Sequence, residues 1–136
     1  VDKWVQNGKD MIGYDWKNDP EYKDRTVLTS YNKVVEGFDG WMKTLGLKRE
    51  GSYYRVIKEN TDTIMLVSHG GSSSVVFSHI FNLPFPFVCK TIRPNFTAIT
   101  EVSFSGKTGE LVSPRFELVN DARHINGITA ENYFGR

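Results

Sequence analysis

The spacing of apolar positions changes several times along the chain, and each change marks an element. Tyr31, Val34, Val35, Phe38, Trp41, Met42 and Leu45 recur at helical spacing. They predict an amphipathic helix with Ser30 as its N-cap and Gly46 as its stop. Leu47 to Gly51 reads as a polar turn, and Tyr53 to Ile57 alternates as a strand does. Thr63 to Ser68 is almost continuously apolar through Ile64, Met65, Leu66 and Val67, the pattern of a strand covered on both faces. His69-Gly70-Gly71-Ser72-Ser73-Ser74 follows, and Val75, Val76, His79 and Ile80 then predict a helix over 72–82. Leu83-Pro84-Phe85-Pro86 ends it, and a second short helix is expected over 87–92. Thr97 to Phe104 and Leu111 to Val119 read as two strands, joined as a hairpin by Gly106-Lys107-Thr108-Gly109. Residues 1–25 are polar and aromatic, and predict a short helix and then a loop with a turn at Asp19-Pro20.

Strands alternating with helices imply an α/β domain. The expected architecture has three layers, α/β/α, around a mostly parallel sheet that ends in antiparallel strands. Residues 1–136 form a single domain in this reading, with no internal repeat and no linker. The formal net charge is only +1. That balance gives no electrostatic case for a nucleic-acid partner or an anionic membrane surface. One cysteine, Cys89, excludes an internal disulfide and fits a reducing compartment, so a cytoplasmic location is expected. The sequence holds neither a membrane-spanning apolar run nor a signal-peptide pattern.

Candidate chemistry gathers at the turn after Ser68. A histidine there stands at the carboxyl end of a predicted strand, where open α/β sheets bind ligands. The helix that follows begins with free N–H groups, which favour anions and phosphate above all. Gly70 and Gly71 allow a close backbone approach, and Ser72 to Ser74 can cap the helix. The same residues also read as a glycine-rich connection with an incidental histidine. His79 and His124 read as packing, capping or surface residues, and Cys89 as a small buried hydrophobe. Neither histidine nor Cys89 has metal-ligand spacing, so no metal site and no cofactor are expected. Cys-x-x-Cys, His-Glu-x-x-His, P-loop and Gly-x-Ser-x-Gly patterns are absent.

The run from Asp62 to Pro86, with Ser68-His69-Gly70-Gly71 at its centre, resembles the second-histidine motif of the histidine phosphatase superfamily, the phosphoglycerate mutase-like phosphatases and mutases. Asn95 to Val102 resembles the family's next strand, and Leu118-Val119-Asn120-Asp121 with His124 its usual ending. The helix at 31–45 stands where the family has the helix before the motif, so the likeness spans roughly residues 30–126, in order. It implies phosphate monoester hydrolysis through a phosphohistidine, with His69 as the second catalytic histidine and Gly70 lending its backbone N–H to the phosphate. The implied ligand is a phosphorylated small molecule or phosphate ion.

The Arg-His-Gly segment that carries the family's nucleophile is absent, as are the second pocket arginine and the acidic proton donor. Arg123-His124-Ile125 lacks the glycine and lies at the wrong end. The chain therefore reads as the carboxyl-terminal, apparently incomplete part of a phosphoglycerate mutase-like fold, inactive alone. A strand apolar on both faces needs neighbours. A missing N-terminal segment, consistent with the start at Val1, or a second chain is expected to complete the sheet. The alternative is a catalytically inactive phosphate-binding or partner-completed module. A hydrolase of another type, using His-Gly-Gly in an oxyanion loop, ranks last because it lacks a nucleophile.

Overall fold

A computed structural model describes residues 2–23 and 25–125 of the chain. Its longest element, α3 (Thr26–Thr44), carries the apolar stripe seen in the sequence and begins earlier than the stripe does. Arg25, in extended conformation, takes the N-cap position in place of Ser30. Tyr31 and Met42 are buried along its inner face. The helix stops at Leu45, and Gly46 follows at φ +96°. A side chain at Gly46 would run into the Lys58 carbonyl, so only glycine fits this left-handed, crowded place.

The Gly46 carbonyl accepts the Ile57 N–H at 2.8 Å, which folds the next hairpin back against the helix end. β1 (Leu47–Glu50) pairs antiparallel with β2 (Tyr53–Val56), Leu47 opposite Val56 and Glu50 opposite Tyr53. The segment expected as a polar turn is thus a strand, with Leu47 half-buried and Lys48 and Glu50 facing water. β4 (Leu111–Val112) pairs along the other edge of β2. β3 (Ile99–Ser103) and β5 (Arg115–Asp121) form a separate antiparallel pair. The apolar run 111–119 breaks at Pro114, which has no N–H to give a ladder. Its first part joins the β1–β2 sheet and its second part joins β3.

Two helices lie between these sheets in the chain, α4 (Gly70–Ile80) and α5 (Phe85–Thr91). Ile80 packs with Met42, Tyr54, Val56 and Val112 in one apolar cluster. Phe81 stacks on Phe116 at 3.7 Å and ties the end of α4 to β5. A second cluster is aromatic: Trp4 of α1 (Asp2–Gln6), Trp16 of a 3-10 turn at Trp16–Asn18, Tyr31 of α3 and Val75 of α4. Tyr22 of α2 (Pro20–Lys23) packs on its margin. Edge-to-face contacts order it, with Trp16 and Tyr31 centroids 4.9 Å apart.

The expected three-layer, mostly parallel sheet does not form. All strand pairs are antiparallel, in one three-stranded and one two-stranded sheet. The cause lies at 63–68, the segment that was to be the central strand. Among the described residues its backbone makes no hydrogen bond, and it pairs with no strand. Met65 and Val67 are each 87% exposed. Its sequence suits a strand buried on both faces, but no described strand flanks it. Among the described residues no helix is long and apolar enough to cross a membrane. Val1, read as a sign of a missing segment, and Asn126, the end of the family likeness, lie outside the described residues.

Candidate functional site

His69 takes the N-cap position of α4, with φ −97° and ψ 160°. The first helical bond is Ser73 N–H to the His69 carbonyl at 2.8 Å. The N–H groups of Gly70, Gly71 and Ser72 precede it and have no acceptor among the described residues. They form the positive end of an eleven-residue helix. The His69 ring is exposed beside them and makes no hydrogen bond among the described residues. The Ser72 hydroxyl donates to the His69 carbonyl at 3.1 Å and meets the Ser68 hydroxyl at 2.8 Å. That pair fixes the corner at which the extended segment enters the helix. Ser74 donates to the Gly70 carbonyl at 2.8 Å.

Neither Gly70 nor Gly71 is held to glycine by its surroundings. Both avoid positive φ, and a side chain at either would meet no atom within 4 Å. The missing side chains leave open space against bare N–H groups, which is the surface a tetrahedral oxyanion needs. His69 and Gly70 thus stand at a helix terminus, at the end of an unpaired extended segment instead of a sheet strand.

The other histidines are engaged elsewhere. His79 of α4 places Nε2 at 2.8 and 2.9 Å from the two carboxylate oxygens of Asp39 on α3. Asp39 also accepts the Tyr54 hydroxyl of β2 at 2.7 Å, so one carboxylate joins three elements. Burial holds the His79 pKa below its ordinary value, and Asp39 opposes that shift. Burial also pushes the Tyr54 hydroxyl up, with Asp39 adding to it. This network was missed in the sequence, because Asp39 lies on what reads as the polar face of α3. His124 follows β5 and is exposed, with Nε2 3.3 Å from the Thr97 hydroxyl. Beside it Arg123 hydrogen-bonds Asp121 and holds that carboxyl at about 2.

Cys89 is half-buried and burial pushes its thiol up, away from a reactive thiolate. Among the described residues no cluster of three or more His, Cys, Asp or Glu side chains could hold a metal ion. No protein-family model matches the chain, and no similar curated protein or solved structure was found.

Proposed function

We propose that this chain supplies the second-histidine half of a phosphoryl-transfer site, and that the protein in which it works hydrolyses a small phosphate monoester through a phosphohistidine. The observation that carries this reading is the unpartnered His69 ring beside the free N–H groups of Gly70, Gly71 and Ser72 at the start of α4. Gly70 donates its N–H to one phosphoryl oxygen, and His69 hydrogen-bonds another. Both donors stabilise charge that grows on those oxygens as the ester bond breaks. The nucleophilic imidazole forms the P–N bond while the P–O bond to the leaving alkoxide breaks. Water then attacks phosphorus while the P–N bond breaks, which returns the free imidazole and releases inorganic phosphate.

The nucleophile comes from outside this sequence, on a further segment or a second chain. The unpaired backbone of 63–68 leads directly into His69, and a strand pairing there would bring a nucleophile close to the helix terminus. The site calls for neither metal nor cofactor, and a cytoplasmic setting fits its single cysteine.

The lack of an Arg-His-Gly segment favours one second reading, a module that holds phosphate without turning it over. The test on this chain is a phosphate titration followed by backbone amide NMR, together with an aryl phosphate assay. Saturable shifts at Gly70 and Gly71 without hydrolysis are expected. Gly70 and Gly71 signals that ignore phosphate would remove the helix terminus from the site.

A further inference from the structure

The extended segment 63–68 is bare along its length and anchored at both ends. Asn60 Oδ1 accepts the Asp62 N–H at 2.8 Å, and the Asn60 amide donates to the Leu45 carbonyl at 3.4 Å. The Ser68–Ser72 hydroxyl pair holds the other end. Thr63 to Ser68 holds no charged residue and no proline. Ile64 and Leu66 are 43% and 52% exposed against 87% for Met65 and Val67, so the Met65–Val67 face is the freer. An unpaired, uncharged apolar stretch of this kind is a template for another strand.

The residues on either side of the apolar run decide which strand fits. Asp62 precedes it, exposed, and its carboxylate has no ion pair or hydrogen bond among the described residues. The free N–H groups at the start of α4 follow it. Leu66 is four residues from Asp62 and four from Gly70. A free anion and a positive helix end thus stand at equal distances from the middle of the run.

Hydrogen-bonded and non-hydrogen-bonded pairs alternate along an antiparallel ladder. Two identical strands therefore share a two-fold axis only where a residue faces its own counterpart. With that axis at Leu66, Met65 of each copy faces Val67 of the other, Thr63 faces His69, and Asp62 comes opposite Gly70. The most exposed apolar side chains then meet at the centre, and each carboxylate meets the positive end of a helix on the other copy. An axis at Met65 sets Asp62 against Ser68 instead and leaves both helix ends bare.

We propose that 63–68 is a self-association strand: two copies of this chain pair antiparallel about Leu66, and the Asp62 carboxylate of each caps α4 of the other. The pairing stands on the apolar run and its flanking charges. Its consequence, that the second copy's carboxylate excludes phosphate from the His69 terminus, rests on the function proposed above. The interface is small, so a dissociation constant of about 0.1 mM is expected. The monomer stays well populated, and its 64–68 amides still exchange readily.

The test is sedimentation equilibrium of the chain over about 0.01–1 mM protein, without phosphate. The average mass should rise reversibly from 15.5 kDa toward the dimer. Met65→Lys and Val67→Glu change exposed side chains that the monomer fold does not use, and each should weaken the dimer about fivefold or more. Both together in one chain should restore it, because position 65 faces position 67 of the other copy twice. Asp62→Asn should weaken it several-fold. Inorganic phosphate at about 50 mM should dissociate the dimer more than chloride at equal ionic strength. No dimer at about 1 mM, or no rescue by the double substitution, would overturn the pairing. A dimer that passes the charge swap but ignores phosphate would keep the pairing and overturn the phosphate reading of the helix terminus.

Discussion

Replacing Asp39 with alanine removes the one carboxylate that α3 offers to both β2 and α4. Tyr54 is fully buried, so its hydroxyl, now 2.7 Å from Asp39, loses that acceptor without gaining water. An unsatisfied buried donor of this kind costs about 1–3 kcal/mol. His79 loses its partner too, but it keeps some contact with solvent at 14% exposed, so its share is only about 1 kcal/mol. Together the loss is about 2–4 kcal/mol. With a urea dependence near 2 kcal/mol per molar, the unfolding midpoint should fall by about 1–2 M, followed by circular dichroism. Tyr54→Phe, which keeps the ring and removes the hydroxyl, should cost about 1 kcal/mol. The double variant should cost less than the sum of the two, because both delete the same bond. An Asp39→Ala midpoint within error of the wild type, or strict additivity with Tyr54→Phe, would refute the network as a structural tie.

Three other outcomes follow from the same geometry. Burial depresses the His79 pKa in the folded state, so the unfolded chain takes up this proton first as pH falls. Its contribution is complete above the ordinary value of about 6.5 and is lost below it, so the melting temperature should drop from pH 7 toward pH 5, and His79→Asn should flatten that drop. Gly46→Ala should destabilise by about 2 kcal/mol or more, read by thermal unfolding, since it combines a φ of +96° with a collision at the Lys58 carbonyl. Amides of residues 64–68 should exchange with solvent almost without protection, while those of α4 from Ser74 onward are retained, as hydrogen exchange by NMR would show.

The sequence made the helices legible and the sheets much less so. α3 and α4 declare themselves by apolar spacing, and Gly46 marks the helix end because the backbone there demands glycine. A β pairing depends on which strands are available, and spacing within one segment does not carry that. Ile64 to Val67 has the composition of a buried strand, yet no described strand flanks it. The run 111–119 looked continuous because its apolar residues outweighed Pro114, whose missing N–H divides it between two sheets. The 47–50 segment looked like a turn because, of its two inward positions, Leu47 and Arg49, only one is apolar. His69 and Gly70 were legible because a histidine and two glycines at a helix start have a chemical meaning independent of the sheet. Asp39 was not, because its partners Tyr54 and His79 lie 15 and 40 residues away, and it reads as a surface charge.

The most direct test of the central claim is steady-state hydrolysis of an aryl phosphate by the protein in which this chain functions, compared with its His69→Ala variant. The account predicts that the chain alone gives no turnover. It also predicts that the substitution lowers kcat in the complete protein by a factor of about 10²–10³, the usual loss when one donor to a developing oxyanion is removed. Turnover untouched by the substitution, or hydrolysis by this chain without any added nucleophile, would contradict it.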